Sequence, residues 1–181
     1  MSPLGDRPTT MTTAMNIRLA RESDLPQLVT LSRAVEHAAH WTQQQWRDIF
    51  HSQTPQRLAW IAEAAAGAVE GAAKFPPPAV GFLVAQSGTP EWELENIAVL
   101  SECRRHGIAR GLLSALLAQA RSSHAERILL EVRASNQAAI RLYHANGFQR
   151  LACRRGYYSH PPDDAIILVY PFPPEPSASL G

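Results

Sequence analysis

Between Trp92 and Val132 the spacing of apolar residues changes twice, and this constrains the fold more than any other feature of the chain. Trp92–Leu100 (WELENIAVL) alternates as a strand does. From Gly107 the repeat lengthens. Ile108, Leu112, Leu113, Leu116, Leu117 and Ala120 fall on one helical face, while Arg110, Ser114, Gln119 and Arg121 fall elsewhere. Arg127–Val132 (RILLEV) is then almost continuously apolar, as a strand covered on both faces is. Strand, helix and strand in this order form a crossover unit. The two strands are therefore expected to be parallel, with a right-handed connection.

The rest of the chain supplies more elements of both kinds. Asn16–Ala20 reads as a first strand. Ser23 and Asp24 can cap a helix opened by Leu25 and Pro26 and running to about His37. Thr42 can cap a second helix through Phe50, and Arg57–Ala64 and Val80–Ala85 follow as strands. Ala65–Ala79, rich in Ala, Gly and Pro, is expected to be a long loop between them. Ser87–Gly88 supply a turn. Ser135 or Asn136 caps a last helix, which ends at Asn146–Gly147 with a left-handed residue. Phe148–Arg154 and Ala165–Phe172 close the chain as strands, with a Tyr- and Pro-rich loop between. The order β-α-α-β-β-β-α-β-α-β-β predicts an α/β fold, a mixed sheet with helices on its faces. Residues 15–173 are expected to form one domain, with residues 1–14 a flexible leader and 174–181 a flexible tail. Met15 can serve as a start as well as Met1.

Composition narrows the classes of function. The chain has 181 residues, enough for one full core but cramped for two. Its formal net charge is +1, which gives no global reason to expect nucleic acid or an acidic membrane as partner. No stretch has the unbroken apolar length of a membrane span or the pattern of a signal peptide. The two cysteines, Cys103 and Cys153, lie far apart, and free thiols in a reducing cytoplasm are the expectation. His37 and His40 are three apart with no third ligand evident, so no metal is expected.

The turn inside the crossover unit carries the first chemical signal. In IAVLSECRRHGIARG a strand ends, a basic turn follows and a helix begins. The free N–H groups of a helix start attract phosphates. Gly107 allows close backbone approach, and Ala109 stays small. Arg104, Arg105 and His106 precede the helix, where cations oppose its dipole unless an anion lies between. Taken alone, the turn reads equally well as a solvated basic loop. It is neither a P-loop nor a GxGxxG turn.

RRHGIA fits the Q/R-x-x-G-x-G/A pyrophosphate motif of the GNAT N-acetyltransferases. ENIAV precedes it at the family's spacing, and LEVRASNQAAIRLYHANGF follows. Within that superfamily the RASN, LY and GF positions and RRGYY…DDAII resemble the RimI-type enzymes, which acetylate the N-terminal alanine of a small-subunit ribosomal protein. The chain departs from the pattern at Leu100–Cys103, in place of a D-P-x-[YF] turn, and in the length of Ala65–Ala79. The resemblance implies the GNAT fold, with acetyl-CoA as cosubstrate and no metal. It also implies a protein N-terminus, that of a ribosomal protein, as acceptor, and a cytoplasmic enzyme with no direct nucleic-acid or membrane partner. It places the cosubstrate on Ile97, Ala98, Val99, Arg105, His106, Gly107, Ile108, Ala109, Arg110 and Asn136.

Acyl transfer to an amine requires a neutral amine, a polarised carbonyl and a protonated leaving group. Glu131, in the otherwise apolar Ile128–Val132, can take a proton from an ammonium. Pattern alone favours an exposed carboxylate at a strand end, since exposed glutamates are commonplace. The resemblance makes it the general base. Tyr143 reads from pattern as a core aromatic beside Ile140 or as an acid. The resemblance makes it the acid that protonates the thiolate. A backbone N–H near Val99 is expected at the carbonyl. Trp41, Tyr157 and Tyr158 can shape an acceptor pocket, with Arg154 and Arg155 nearby. Acetylation of a free amine or a lysine side chain, and a non-catalytic acyl-CoA sensor, remain open at this point.

Overall fold

The computed structural model describes residues 15–35, 41–51, 56–64 and 79–173. Eleven elements follow in the expected order: β1 (Met15–Leu19), α1 (Leu25–Ala34), α2 (Gln43–His51), β2 (Arg57–Ala64), β3 (Ala79–Gln86), β4 (Glu91–Val99), α3 (Ile108–Ser122), β5 (Arg127–Arg133), α4 (Gln137–Ala145), β6 (Gln149–Ser159) and β7 (Pro162–Pro171). The strands form one sheet in the order β1-β2-β3-β4-β5-β7-β6. Only β4 and β5 run parallel. The helical crossover between them is the α3 unit read from the sequence.

Helices cover both faces of the sheet. Neighbouring residues of a strand point to opposite faces. Phe82 of β3 stacks edge-on against Trp46 of α2 at 5.3 Å. A Cβ on the preceding Gly81 would lie 3.2 Å from Ile108 Cγ2 of α3. α2 and α3 therefore occupy opposite sides, and β3 is buried along nearly its whole length. α3 reaches as far as β1, where a Cβ on Gly111 would come within 2.6 Å of Ile17 Cδ1. The core face of α3 is the predicted one. Ile108, Leu112, Leu113, Leu116 and Ala120 are buried, while Leu117 is half-buried. On the far half of the sheet, Tyr143, Phe148, Tyr170 and Phe172 form a chain of ring contacts that ties α4 to β7.

Three local expectations are corrected. α1 stops at Ala34, short of His37, because Val35 is extended (φ −110°, ψ 112°) and buried. Residues 36–40, including His37 and His40, lie outside the described part. Asp24 does not cap α1. Its carboxylate pairs with Arg18 at 2.7 Å and accepts the Arg21 N–H at 2.8 Å at a short 3-10 turn. The Tyr- and Pro-rich connection is mostly strand. β6 and β7 extend to Ser159 and Pro162, leaving only His160 and Pro161 to turn. Tyrosines suit a pleated surface. A bulge between Arg154 and Tyr158, where Asp164 accepts the Gly156 N–H at 2.8 Å, absorbs the glycine.

Other local signals hold. Thr42 Oγ1 accepts the Gln45 N–H at 3.2 Å, and Gln45 Oε1 accepts the Thr42 N–H at 2.8 Å, a capping box at α2. Asn136 caps α4 by accepting the Ala139 N–H at 3.1 Å, and Gly147 beyond its end has φ +92°. The expected leader (1–14), tail (174–181) and the body of the long loop (65–78) lie outside the described residues. Ala79 belongs to β3.

Candidate functional site

The site begins where two parallel strands separate. β4 and β5 pair only from Glu91–Leu94 with Arg127–Leu130. Past that point no ladder joins Glu95–Val99 to Glu131–Arg133, although β3 still pairs with β4 and β7 with β5 to their ends. A slot results, walled by strand edges whose peptide groups can pair with an extended ligand. It opens at the carboxyl ends of the two parallel strands, where ligands of open α/β sheets lie. Ala98 and Val99 are buried and Ile97 half-buried, so only their backbone is offered to that slot.

The turn after β4 delivers the start of α3 to the slot's mouth. Leu100 donates its N–H to the Val80 carbonyl at 2.9 Å. A short 3-10 turn follows, with Cys103 fully buried as its plug. Burial and the neighbouring Glu102 push the Cys103 thiol up, so it is a packing residue and not a nucleophile. Cys153 is exposed, and both thiols are free. Arg105 and Gly107 both take left-handed φ, +68° and +80°. A Cβ on Gly107 would meet nothing within 4 Å. The backbone angle therefore requires glycine, and no protein atom blocks close approach to the backbone there. No side chain caps α3, and its first turn holds no acidic residue. The leading N–H groups, those of Ile108, Ala109 and Arg110, thus face outward beside the exposed Arg105, His106 and Arg110. Arg104 instead folds back, its Nε donating to the Val99 carbonyl at 3.3 Å, and His106 Nδ1 lies 3.3 Å from the Cys103 carbonyl. Uncapped amides at a helix start, with Arg105, Arg110 and the His106 ring beside them, can hold an anion.

On the sheet nearby lies an open cavity of about 320 Å³. Trp41, Tyr157 and Tyr158, all three sequence candidates, stand in its walls with Glu131. Arg154 reaches it through an ion pair with Glu131 at 2.6 Å and lies 5.5 Å from the Tyr157 ring. Arg155 is exposed and lines none of it. Arg133 stacks 3.9 Å from the Tyr158 ring centre. Desolvation and the Glu131 charge push the Tyr158 phenol up.

Five lining residues escaped the sequence reading: Gln45, Arg57, Glu93, Leu94 and Glu95. A signal was present, because Glu91, Glu93 and Glu95 alternate along one face of a strand whose other residues are apolar or buried. Arg57 holds Glu95 with two hydrogen bonds of 2.7 and 2.8 Å. Glu93 has no hydrogen-bond or ion-pair partner among the described residues. Desolvation, followed by the charges of Glu95, Glu131 and Glu91, raises its carboxyl above the usual range. Arg57 pairs with Glu95 and Arg154 with Glu131, which leaves the third carboxylate of the cavity, Glu93, to meet a cation.

Tyr143 is not among the residues lining the cavity. It sits on α4, 6% exposed, edge-on to Phe148 at 5.7 Å. Burial pushes its phenol well up, so it holds its proton throughout the neutral range. Glu131 and Tyr143 therefore belong to two different compartments, the acceptor cavity and the packed base of α4.

A slot between parting strands, an uncapped helix start and an adjacent acidic cavity define an acyltransferase-like arrangement. The model of the acetyltransferase (GNAT) family matches residues 24–148, and the chain belongs to that family. It is 40% identical over 92 residues to the [ribosomal protein bS18]-alanine N-acetyltransferase of Escherichia coli strain K12, covering 50% of this chain and 62% of that protein. It is 43% identical over 77 residues to an N-alpha-acetyltransferase of Saccharolobus solfataricus, covering 42% of this chain and 46% of that one. These matches span less than two thirds of either relative. The fold is similar to the crystal structure of the Escherichia coli ribosomal-protein-S18-alanine N-acetyltransferase, with a TM-score of 0.75, 27% identity, and 91% of this chain and 98% of that chain covered. Among the described residues no helix is long and apolar enough to cross a membrane, and no three acidic, His or Cys side chains group as metal ligands.

Proposed function

We propose that the chain transfers the acetyl group of acetyl-CoA to the α-amine of a protein N-terminus, with the N-terminal alanine of a ribosomal protein as the physiological acceptor and the cytoplasm as its place of action. The observation that carries this is the meeting of two sites at the parting of β4 and β5. One suits a polyphosphate with an extended arm, and the other suits a cation beside a carboxylate. The relatives named above support the choice of acceptor.

Acetyl-CoA supplies an activated acyl group and a good leaving group. The residues of the chain do the rest. The leading amides of α3, with Arg105, His106 and Arg110, hold the pyrophosphate. The free edge at Ile97–Val99 aligns the pantetheine arm, and a backbone N–H there polarises the carbonyl. Asn136 orders the start of α4 beside it. In the cavity Glu131 takes the proton of the incoming ammonium, sharing its carboxylate with Arg154 until the amine arrives. The neutral nitrogen attacks the carbonyl carbon, so that an N–C bond forms and the C–S bond breaks. The Tyr143 phenol, kept protonated by burial, gives its proton to the departing sulfur, and the second proton shed by the nitrogen as it becomes an amide restores the phenol. Glu93, lifted by desolvation, provides a second carboxyl within the same cavity for the amine to approach.

Thiol release from acetyl-CoA, followed with mass spectrometry of the acceptor, tests the proposal. A peptide starting with alanine should gain one acetyl group on its terminal amine, and its N-blocked form should gain none. Transfer to free amines or lysine side chains alone would overturn the acceptor assignment. Bound acetyl-CoA without any transfer would overturn the enzyme assignment and leave an acyl-CoA sensor.

A further inference from the structure

One wall of the acceptor cavity is braced by groups that the reaction itself does not use. Trp41 precedes α2, and its ring lies 5.1 Å from the buried Trp46. From the other side the Arg57 guanidinium approaches to 5.9 Å of the ring centre. Arg57 is itself fixed. It reaches from β2 across β3 to β4, where Nε and Nη2 donate to the two oxygens of Glu95 at 2.7 and 2.8 Å. Both side chains are largely shielded, 24% and 16% exposed. A two-pronged guanidinium–carboxylate pair sets the plane of the guanidinium as well as its place. The capping box of Thr42 and Gln45 holds the backbone next to Trp41, and Gln45 lines the same cavity. The brace therefore runs from the sheet outward: Glu95 holds Arg57, and Arg57 and Trp46 hold Trp41. The cavity so walled, about 320 Å³, lies at the small end for a ligand site.

We infer that Arg57 is a positioning residue that sets acceptor selectivity: by holding Trp41 against the cavity it restricts the first side chain of the incoming peptide to a small one. The inference rests on the peptide-acceptor reading above. It predicts that loss of the brace loosens the wall, weakens capture of a small first residue and admits a larger one, while the acetyl-CoA slot is untouched.

The experiment compares two peptides identical except for alanine or leucine at the first position, with initial rates measured for wild type, Arg57→Met, Arg57→Lys, Trp41→Ala and the double variant Trp41→Ala/Arg57→Met. Arg57→Met should raise the KM for the alanine peptide about tenfold, as expected for a lost cation–π and positioning contact, with a smaller change in kcat. Its preference for alanine over leucine should narrow, and its KM for acetyl-CoA should stay that of wild type. Arg57→Lys should recover part of the preference, because an ammonium can still pair with Glu95. The double variant should be no worse than Trp41→Ala, since both remove one wall. An unchanged peptide preference in Arg57→Met, or fully additive losses in the double variant, overturns the inference alone. If Arg57→Met does not fold, Trp41→Ala decides by itself, and an unchanged preference there overturns it equally. A wild-type protein that transfers to neither peptide overturns the peptide-acceptor reading and this inference with it.

Discussion

Tyr143 and Glu131, to which the proposed reaction assigns its acid and its base, are housed differently. Tyr143 is shut in by Phe148 and the core, and burial alone raises its phenol. A phenol raised in this way keeps its proton through the neutral range and is a weaker acid than an exposed tyrosine. Tyr143→Phe keeps the ring contact and removes only the hydroxyl. It should lower kcat by about 10²-fold, the scale of a lost general acid, while the KM for acetyl-CoA changes little. Glu131 is half-exposed on a strand edge and bound to Arg154 at 2.6 Å. Glu131→Gln should lower kcat on a peptide by about 10²- to 10⁴-fold with acetyl-CoA binding retained, measured by thiol release and by equilibrium binding. A variant that turns over like wild type near neutral pH removes Glu131 from the role of base. Each of these two residues was legible in the sequence as an anomaly with two readings. Only packing separates a buried phenol from a solvated one.

At the scale of the element, α3 joins core and ligand site in one helix. Its apolar face packs on the sheet, and its uncapped start faces the slot. Gly107 at φ +80° makes that start possible. Because a Cβ there meets nothing within 4 Å, Gly107→Ala should cost only backbone strain, about 1 kcal/mol. In a chain of this size that is a drop of about 3 °C in Tm, readable by thermal denaturation. The larger effect should fall on acetyl-CoA, whose KM should rise more than kcat falls as the leading amides turn away from the phosphates. A KM equal to that of wild type would place the anion elsewhere. The sequence signalled this glycine but not its left-handed angle, since motif strings carry spacing and not dihedral angles.

The whole molecule decides the charge balance of the acceptor cavity. β4 contributes Glu93 and Glu95, β5 contributes Glu131, and Arg57 and Arg154 arrive from β2 and the edge strand β6. Glu93 has a raised carboxyl and no ion-pair partner among the described residues. A carboxyl whose folded pKa lies above its unfolded value binds more protons in the folded state, so its contribution to stability falls as pH rises through that range. Glu93→Gln should therefore raise Tm at neutral pH. The gain should shrink towards about pH 4, where the unfolded carboxyl also becomes protonated. A gain that persists unchanged at low pH would assign the effect to packing. The penalty at Glu93 is expected of a site that keeps negative charge for a cationic acceptor.

Read by itself, the sequence determined the order and type of the elements, the parallel β4–α3–β5 crossover, the core face of α3, the caps at Thr42 and Asn136, and the basic turn that opens α3. All of these are written in local periodicity, turn chemistry and short motifs, which act over a few residues. What tertiary structure alone decided lies between segments far apart in the chain. It set where β4 and β5 part, the pairing of Arg57 with Glu95 and of Arg154 with Glu131, the burial of Tyr143, and the extension of β6 and β7 through the Tyr- and Pro-rich stretch. Ion pairs and desolvation depend on which side chains meet across the sheet. No spacing along a single strand records which side chain lies two strands away.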